Sequence, residues 1–278
     1  MKKVLFASTA LVMSAGFAAA DIAISGSAGA GLWSDGSDNQ GVYSFAGVDF
    51  TMTGETDNGL TFGATVNIDA GNEYDTGDFE LDGVDANAVS LGSVYVSGGF
   101  GTITFDSNGI DDLYNDDNAH DMSYSYSANG LSFDLTLEVD GASASAVSAK
   151  VAYTMDAFTG SLTASDVNGG SYEVDLAYAV SDDLTVGLNH DMPNGADAVT
   201  EARVAFAADG FSASVSMDTA DNWDLSLGYT FDATTISAST DEASAWELTM
   251  SSDLGGGASL VAGINADSAV YAGLAMTF

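Results

Sequence analysis

Residues 131–139 read Leu131-Ser132-Phe133-Asp134-Leu135-Thr136-Leu137-Glu138-Val139, a strict alternation of large apolar and polar residues. Successive side chains of a β-strand point to opposite faces, so Leu131, Phe133, Leu135, Leu137 and Val139 share one face and Ser132, Asp134, Thr136 and Glu138 the other. The pattern recurs along the chain. Leu60, Phe62, Ala64, Val66 and Ile68 alternate with Thr61, Gly63, Thr65, Asn67 and Asp69. Tyr172, Val174, Leu176, Tyr178 and Val180 alternate with small and acidic residues, and Trp223, Leu225, Leu227, Tyr229 and Phe231 with Asp224, Ser226, Gly228 and Thr230.

Clusters of Gly, Asn, Asp and Ser separate these segments, at 34–41, 56–59, 128–130, 166–170 and 251–257; Pro193, the single proline, also falls between segments. Such residues make tight turns, and their spacing predicts a meander of antiparallel hairpins. A secreted β-sandwich also alternates. It hides its apolar face, however, and nearly every segment here carries a continuous large-apolar face, more than a two-sheet core can hold. The prediction is an all-β fold: a transmembrane antiparallel up-and-down β-barrel of about 16 strands, with 14 or 18 also open. Trp33, Tyr43, Tyr95, Tyr124, Tyr126, Tyr153, Trp223 and Trp246 lie near segment ends, where they would form the aromatic girdles at the membrane interfaces.

The two ends fit an exported barrel. Residues 1–20 carry Lys2 and Lys3, an apolar stretch from Val4 to Met13 and a small-residue ending Ala18-Ala19-Ala20, the layout of a cleaved signal peptide. The remainder, 21–278, is then the barrel. After the signal, no apolar run reaches the ~18 residues expected of a transmembrane helix, so membrane entry requires a closed barrel.

Composition excludes several functions. Of 4 basic residues, two belong to the signal, leaving Lys150 and Arg203 against 41 acidic residues. Nucleic acid is not a partner for such a surface, since phosphate binding needs Lys and Arg. Disorder is excluded by 46% hydrophobic and 10% aromatic content, with mean hydropathy +0.14. There is no cysteine, so neither disulfide nor thiol chemistry is needed. His120 and His190 have no second metal ligand at a suitable spacing and no nucleophile-elbow sequence beside them, so the chain reads as no enzyme with no required cofactor.

Three phrases resemble a known family. The chain ends Val270-Tyr271-Ala272-Gly273-Leu274-Ala275-Met276-Thr277-Phe278, similar to the terminal strand that bacterial outer-membrane proteins present to the barrel-assembly machinery. Asp21-Ile22-Ala23-Ile24-Ser25-Gly26-Ser27-Ala28 and Gly98-Gly99-Phe100-Gly101-Thr102-Ile103-Thr104-Phe105 resemble the Gram-negative general porins, alphaproteobacterial type. The resemblance implies a water-filled diffusion channel in outer-membrane lipid, a homotrimer, passing small hydrophilic solutes and ions. It also implies that the segment after Phe105, residues 106–121, is a third loop folded into the pore as its constriction. Residues Gly71 to Asn87 then match a second loop that reaches over a neighbouring subunit. Many porins oppose the acidic loop with clustered arginines; this chain has no such cluster.

The candidate constriction residues are Asp106, Asp111, Asp112, Asp116, Asp117 and Asp121, the densest acidic run, together with Lys150 and Arg203. In a pore the carboxylates would attract cations; an ordinary solvated extracellular loop is the other reading. Asp111, Asp112, Asp116 and Asp117 are also candidate calcium ligands, although the run lacks EF-hand spacing. By alternation Lys150 lies opposite Val147, Ala149, Val151 and Tyr153, and Arg203 opposite Ala202, Val204 and Phe206, so both point into the lumen. They either face the acidic loop across the pore or pair with wall carboxylates such as Glu201. The leading function is a cation-preferring outer-membrane porin. The alternatives are a secreted or surface acidic β-protein binding calcium or a partner, and a small barrel serving as anchor or enzyme.

Overall fold

The computed structural model describes residues 21–81, 88–114, 118–139, 141 and 145–278; the signal segment 1–20 lies outside the described residues. The strands are β1 (Asp21–Ser34), β2 (Gln40–Glu55), β3 (Thr61–Asn72), β4 (Tyr74–Asp75), β5 (Glu80–Leu81), β6 (Ala88–Gly98), β7 (Gly101–Asp111), β8 (Ala119–Ala128), β9 (Leu131–Leu137) and β10 (Val147–Met155). They continue as β11 (Phe158–Ser165), β12 (Ser171–Ala179), β13 (Leu184–Met192), β14 (Val199–Ala208), β15 (Phe211–Asp218), β16 (Trp223–Phe231), β17 (Thr234–Asp241), β18 (Trp246–Gly255), β19 (Ala258–Asn265) and β20 (Val270–Thr277). All but the short β4–β5 hairpin form one antiparallel 18-stranded sheet. Each strand pairs with the next, β3 pairs with β6, and β1 pairs with β20 through partners such as Ala28 and Met276, so the sheet closes. Closure leaves no strand at an edge of the described sheet, the condition for a sheet to cross lipid.

Eighteen strands fall within the expected range of about 16, with 18 among the counts left open, and many connections at one end are very short. Asn129-Gly130 and Asp209-Gly210 have positive φ at both residues (52° and 80°, 51° and 80°), the geometry of the two-residue hairpin turn that follows the twist of its strands. Asp21, the first described residue, and Phe278 lie at this end, and the longer connections at the other.

The large apolar side chains lie on the outside. Leu131, Leu162, Leu176, Leu188, Val204, Val215, Leu227, Leu248, Leu260 and Leu274 are all exposed. In water this arrangement is untenable, whereas lipid solvates it. It rules out the sandwich, which would bury these residues. Tyr126, Tyr153 and Trp246 are likewise exposed, and Tyr124 and Trp223 share the outward face with Leu135 and Met217.

Trp33, Tyr43 and Tyr95 depart from the girdle expectation and face inward. Tyr43 pairs with Gly31, and Tyr95 with Gly63, on the face opposite Leu32, Val42, Phe62 and Val96. The Tyr43 ring and hydroxyl occupy the space where Gly31 and Gly273 would carry a Cβ. Only glycine lets the ring lie this close to the wall.

Candidate functional site

The lumen is lined by the second face of every strand. Asp49, Asp134, Asp175, Glu201, Asp224 and Asp241 alternate along their strands with the outward apolar residues. Asp224 and Asp241 are direct cross-strand partners, two like charges side by side on the pore wall.

Two connections from the longer-loop end fold inward. The first follows β7. Residues 106–121 are not one loop: β7 runs to Asp111 and β8 begins at Ala119, with a bulge that sets residues 106–109 against Asp121. Only residues 112–118 connect the strands, and 112–114 turn onto the inner wall of β10–β13. The Ser145 and Ser165 hydroxyls lie 2.6 and 2.8 Å from Asp112 Oδ2. The Leu113 N–H donates to Ser148 Oγ at 2.8 Å, and the Tyr114 hydroxyl donates to Asp191 Oδ1 at 2.6 Å. Beneath this strap His120, fully buried, joins Thr136 Oγ1 at 2.6 Å and lies 3.5 Å from Asp112. Burial and the bond to the Asp191 carboxylate push the Tyr114 phenol up to about 12, so it stays a donor. Asp166, next to the strap, is opposed by partial burial, yet the N–H groups of Val147 and Ala146 and the Ser145 hydroxyl hold it below the usual carboxylate range.

The acidic run therefore has divided roles. Asp112 is 4% exposed and serves as an anchor rather than a pore charge. Asp121 accepts the Val139 N–H at 2.9 Å. Asp106 curls over Gly109 within the bulge, and Asp111 remains exposed. Asp116 and Asp117 lie outside the described residues. Among the described residues no three Asp, Glu, His or Cys side chains are grouped to hold a metal. Of the expected calcium set, Asp112 is directed at two serines and Asp111 is exposed.

The second inward connection is the β4–β5 hairpin. Where a loop reaching over a neighbouring subunit was expected, residues 73–81 instead lie on their own barrel; residues 82–87 of that expected loop are outside the described residues. Tyr74 sits among inward-facing rings, with centroids 5.9 Å from Trp33, 5.6 Å from Tyr43 and 5.3 Å from Tyr271, and Phe79 lies 5.3 Å from Tyr271. These rings are the main buried hydrophobic cluster of the described residues. Burial, with Tyr271, Tyr43 and Asp35 nearby, pushes the Tyr74 phenol up to about 12. The hairpin tip, Gly77 to Phe79, faces Asp224, Asp241 and Glu247 across an acidic chamber of about 340 Å³. The hairpin leans on β1, β2, β19 and β20 and the strap on β10–β13, half the circumference apart, so they narrow the lumen from opposite sides.

The two basic residues both face the lumen and behave differently. Arg203 Nη2 lies 2.7 Å from Asp175 Oδ2, two strands away. It is thus a wall pair, with Asp175 rather than Glu201, and not a charge aimed at the strap. Lys150 is paired in register with Asp134 and Thr163, one inward position below Ser148, and makes no ion pair among the described residues. Sequence patterning placed both on the lumen face but missed Ser145, Ser148, Ser165, Tyr114 and Asp191, whose partners are 33 to 77 residues away.

The family model for Gram-negative porins matches residues 7–275. The chain belongs to the Gram-negative porin family. The porin is accordingly an outer-membrane channel protein and not an enzyme. Among solved structures it is similar to a triple mutant of the Rhodopseudomonas blastica porin, with TM-score 0.57 and 14% identity over 92% of this chain and 100% of that one. A variant of the same porin with two acidic and two basic residues replaced by alanine gives 0.56 and 14% over the same shares. A structure described as showing asymmetric conductivity of engineered proteins gives 0.55 and 15%, over 93% and 100%. At these identities the likeness concerns the fold. None of the curated proteins matches the chain.

Proposed function

We propose that this porin is a passive, cation-preferring channel for small hydrophilic solutes, exported through its signal peptide, assembled through the terminal strand ending in Phe278 and working as a homotrimer. The observation that carries the cation preference is the charge of the inner wall. Carboxylates such as Asp49, Asp134, Asp224, Asp241 and Glu247 line it, Arg203 is neutralised by Asp175, and Lys150 is the remaining positive charge among the described lumen residues. A wall of this sign lowers the energy of cations and raises that of anions at the narrow section. Screening shortens its reach to about 10 Å at 0.1 M salt, so selectivity is expected to fade as salt rises. The strap and the hairpin supply the size limit.

Liposome swelling tests this reading. Vesicles holding the folded mature chain are expected to swell quickly in small neutral sugars and slowly in oligosaccharides. Vesicles that stay osmotically tight with the barrel inserted would contradict it.

A further inference from the structure

The β4–β5 hairpin is seated in the lumen by its rings and opposed by its own charge. It has two cross-strand pairs, Tyr74 with Leu81 and Asp75 with Glu80, and forms a small sheet separate from the barrel wall. A hairpin of this size is not stable by itself. Asp75 and Glu80 are like charges directly opposite one another, which weakens the pairing further. At the tip Phe79 has a φ of 59°, a conformation that costs a bulky side chain and persists only where its surroundings enforce it. Tyr74 and Phe79, 3% and 5% exposed, supply that enforcement by packing on Trp33, Tyr43 and Tyr271. Docking also sets Asp78 in one chamber with Asp224, Asp241, Glu247 and Asp267, and no basic residue lines it. Ring packing is thus set against carboxylate repulsion, and the two respond differently to salt: the repulsion reaches about 30 Å at 0.01 M and about 3 Å at 1 M.

We propose that the hairpin is a salt-sensitive flap. At high ionic strength the charges are screened, the rings dock and the lumen is narrowed beside β1, β2, β19 and β20. At low ionic strength the carboxylates drive residues 73–81 off the wall, which relaxes Phe79 and separates the hairpin tip from the acidic chamber. The size limit of the channel then follows the salt of the medium. This differs from charge selectivity, because the flap acts on neutral solutes as well as ions. The proposal rests on the reading of the hairpin as part of the size limit. Its first test does not require flux through the pore.

Trp33, with its ring centroid 5.9 Å from that of Tyr74, supplies the readout. The full barrel, folded in a neutral detergent, is moved from about 1 M to about 0.01 M KCl, the two ends of that screening range, while tryptophan emission is followed. The expected result is a reversible red shift at low salt, as Trp33 exchanges its ring neighbour for water, and its absence in Trp33→Phe. The triple variant Asp75→Asn/Asp78→Asn/Glu80→Gln is expected to hold the high-salt emission throughout. Asp75→Asn keeps the oxygen that accepts the Gly77 N–H at 2.7 Å, so the turn survives and the lost shift reports the charge. Emission that ignores salt in the wild type, or a shift that persists in the triple variant, overturns the proposal. In liposomes, the rate of swelling in a trisaccharide relative to glucose is expected to be at least twofold higher at the low salt than at the high, and constant in the triple variant. A wild-type ratio unmoved by salt, in liposomes that do swell, overturns the flap and leaves the channel standing.

Discussion

Arg203 reaches across β13 to Asp175 by lying flat over Gly187. The two charges sit on β14 and β12, and a Cβ on Gly187 would fall among the guanidinium atoms of Arg203. The glycine thus holds a positive charge against the wall and out of the ion path. Gly187→Ala is expected to lift Arg203 into the lumen and reduce cation selectivity, seen as a reversal potential shifted toward zero. The pair is half-buried and worth at most about 1 kcal/mol, so the folded barrel should persist and heat-modifiable migration remain normal. An unchanged reversal potential would mean that Arg203 does not lie where the wall pair puts it.

The strap is held by a few buried polar contacts, and its release should widen the pore. Asp112→Ala removes the carboxylate that accepts from the buried Ser165 hydroxyl and one of the two carboxylates within reach of the Ser145 hydroxyl, at a cost of about 1–3 kcal/mol. Tyr114→Phe removes a bond to the Asp191 carboxylate of the kind worth about 1.5–3 kcal/mol. Either change is expected to raise single-channel conductance and current noise, and the two together more than either alone. Equal conductance in all four proteins would show that the strap does not narrow the passage.

Alkali should act on the same strap and on the hairpin. Tyr74 and Tyr114 are both pushed up to about 12, above the free phenol at about 10. A raised value in the folded state means that the docked, protonated ring contributes its full stability below pH of about 10 and loses it as pH climbs toward 12. Conductance is expected to rise reversibly over that window, while Tyr74 and Tyr114 titrate above the ordinary phenol range by tyrosinate absorbance. Tyr114→Phe should remove part of the conductance change. A pH response confined to the acid side would contradict the docking of these rings.

Gly31 tests the inward aromatic cluster. Its missing side chain is where the Tyr43 ring and the Ala272 carbonyl meet, so Gly31→Ala forces Tyr43 away from the wall and out of its stack with Tyr74. Overpacking of this kind costs about 1–3 kcal/mol. A lower urea midpoint for unfolding is expected, together with a less secure hairpin, seen as faster proteolysis within residues 73–81.

Sequence carried the wall and little of what fills it. Alternation in Leu131–Val139 and its repeats fixes which face meets lipid, and that face is correct for Lys150 and Arg203 as well, because strand periodicity is local. The inward position of Trp33 and Tyr43 was also present in principle: Gly29, Gly31 and Trp33 share one parity, and a ring on a glycine-bearing face suits the lumen. Placement at a segment end pointed instead to the membrane girdle. Asp112 could not be separated from its acidic neighbours, since its burial depends on Ser145 and Ser165 being brought in by strand register. The partner of Arg203 depended on a three-strand register through Gly187. Strand number followed turn length, which the Asn-Gly and Asp-Gly pairs indicate one by one without giving the total.

The reversal potential of the refolded mature chain in a planar bilayer under a KCl gradient tests the central claim most directly. Stepwise conductance is predicted, with a potential displaced toward that of potassium and relaxing toward zero when salt is raised or when Asp224 and Asp241 are both changed to Asn. A barrel that is folded and inserted but gives no steps, or one whose potential lies toward chloride, would contradict an acidic pore wall open to ions.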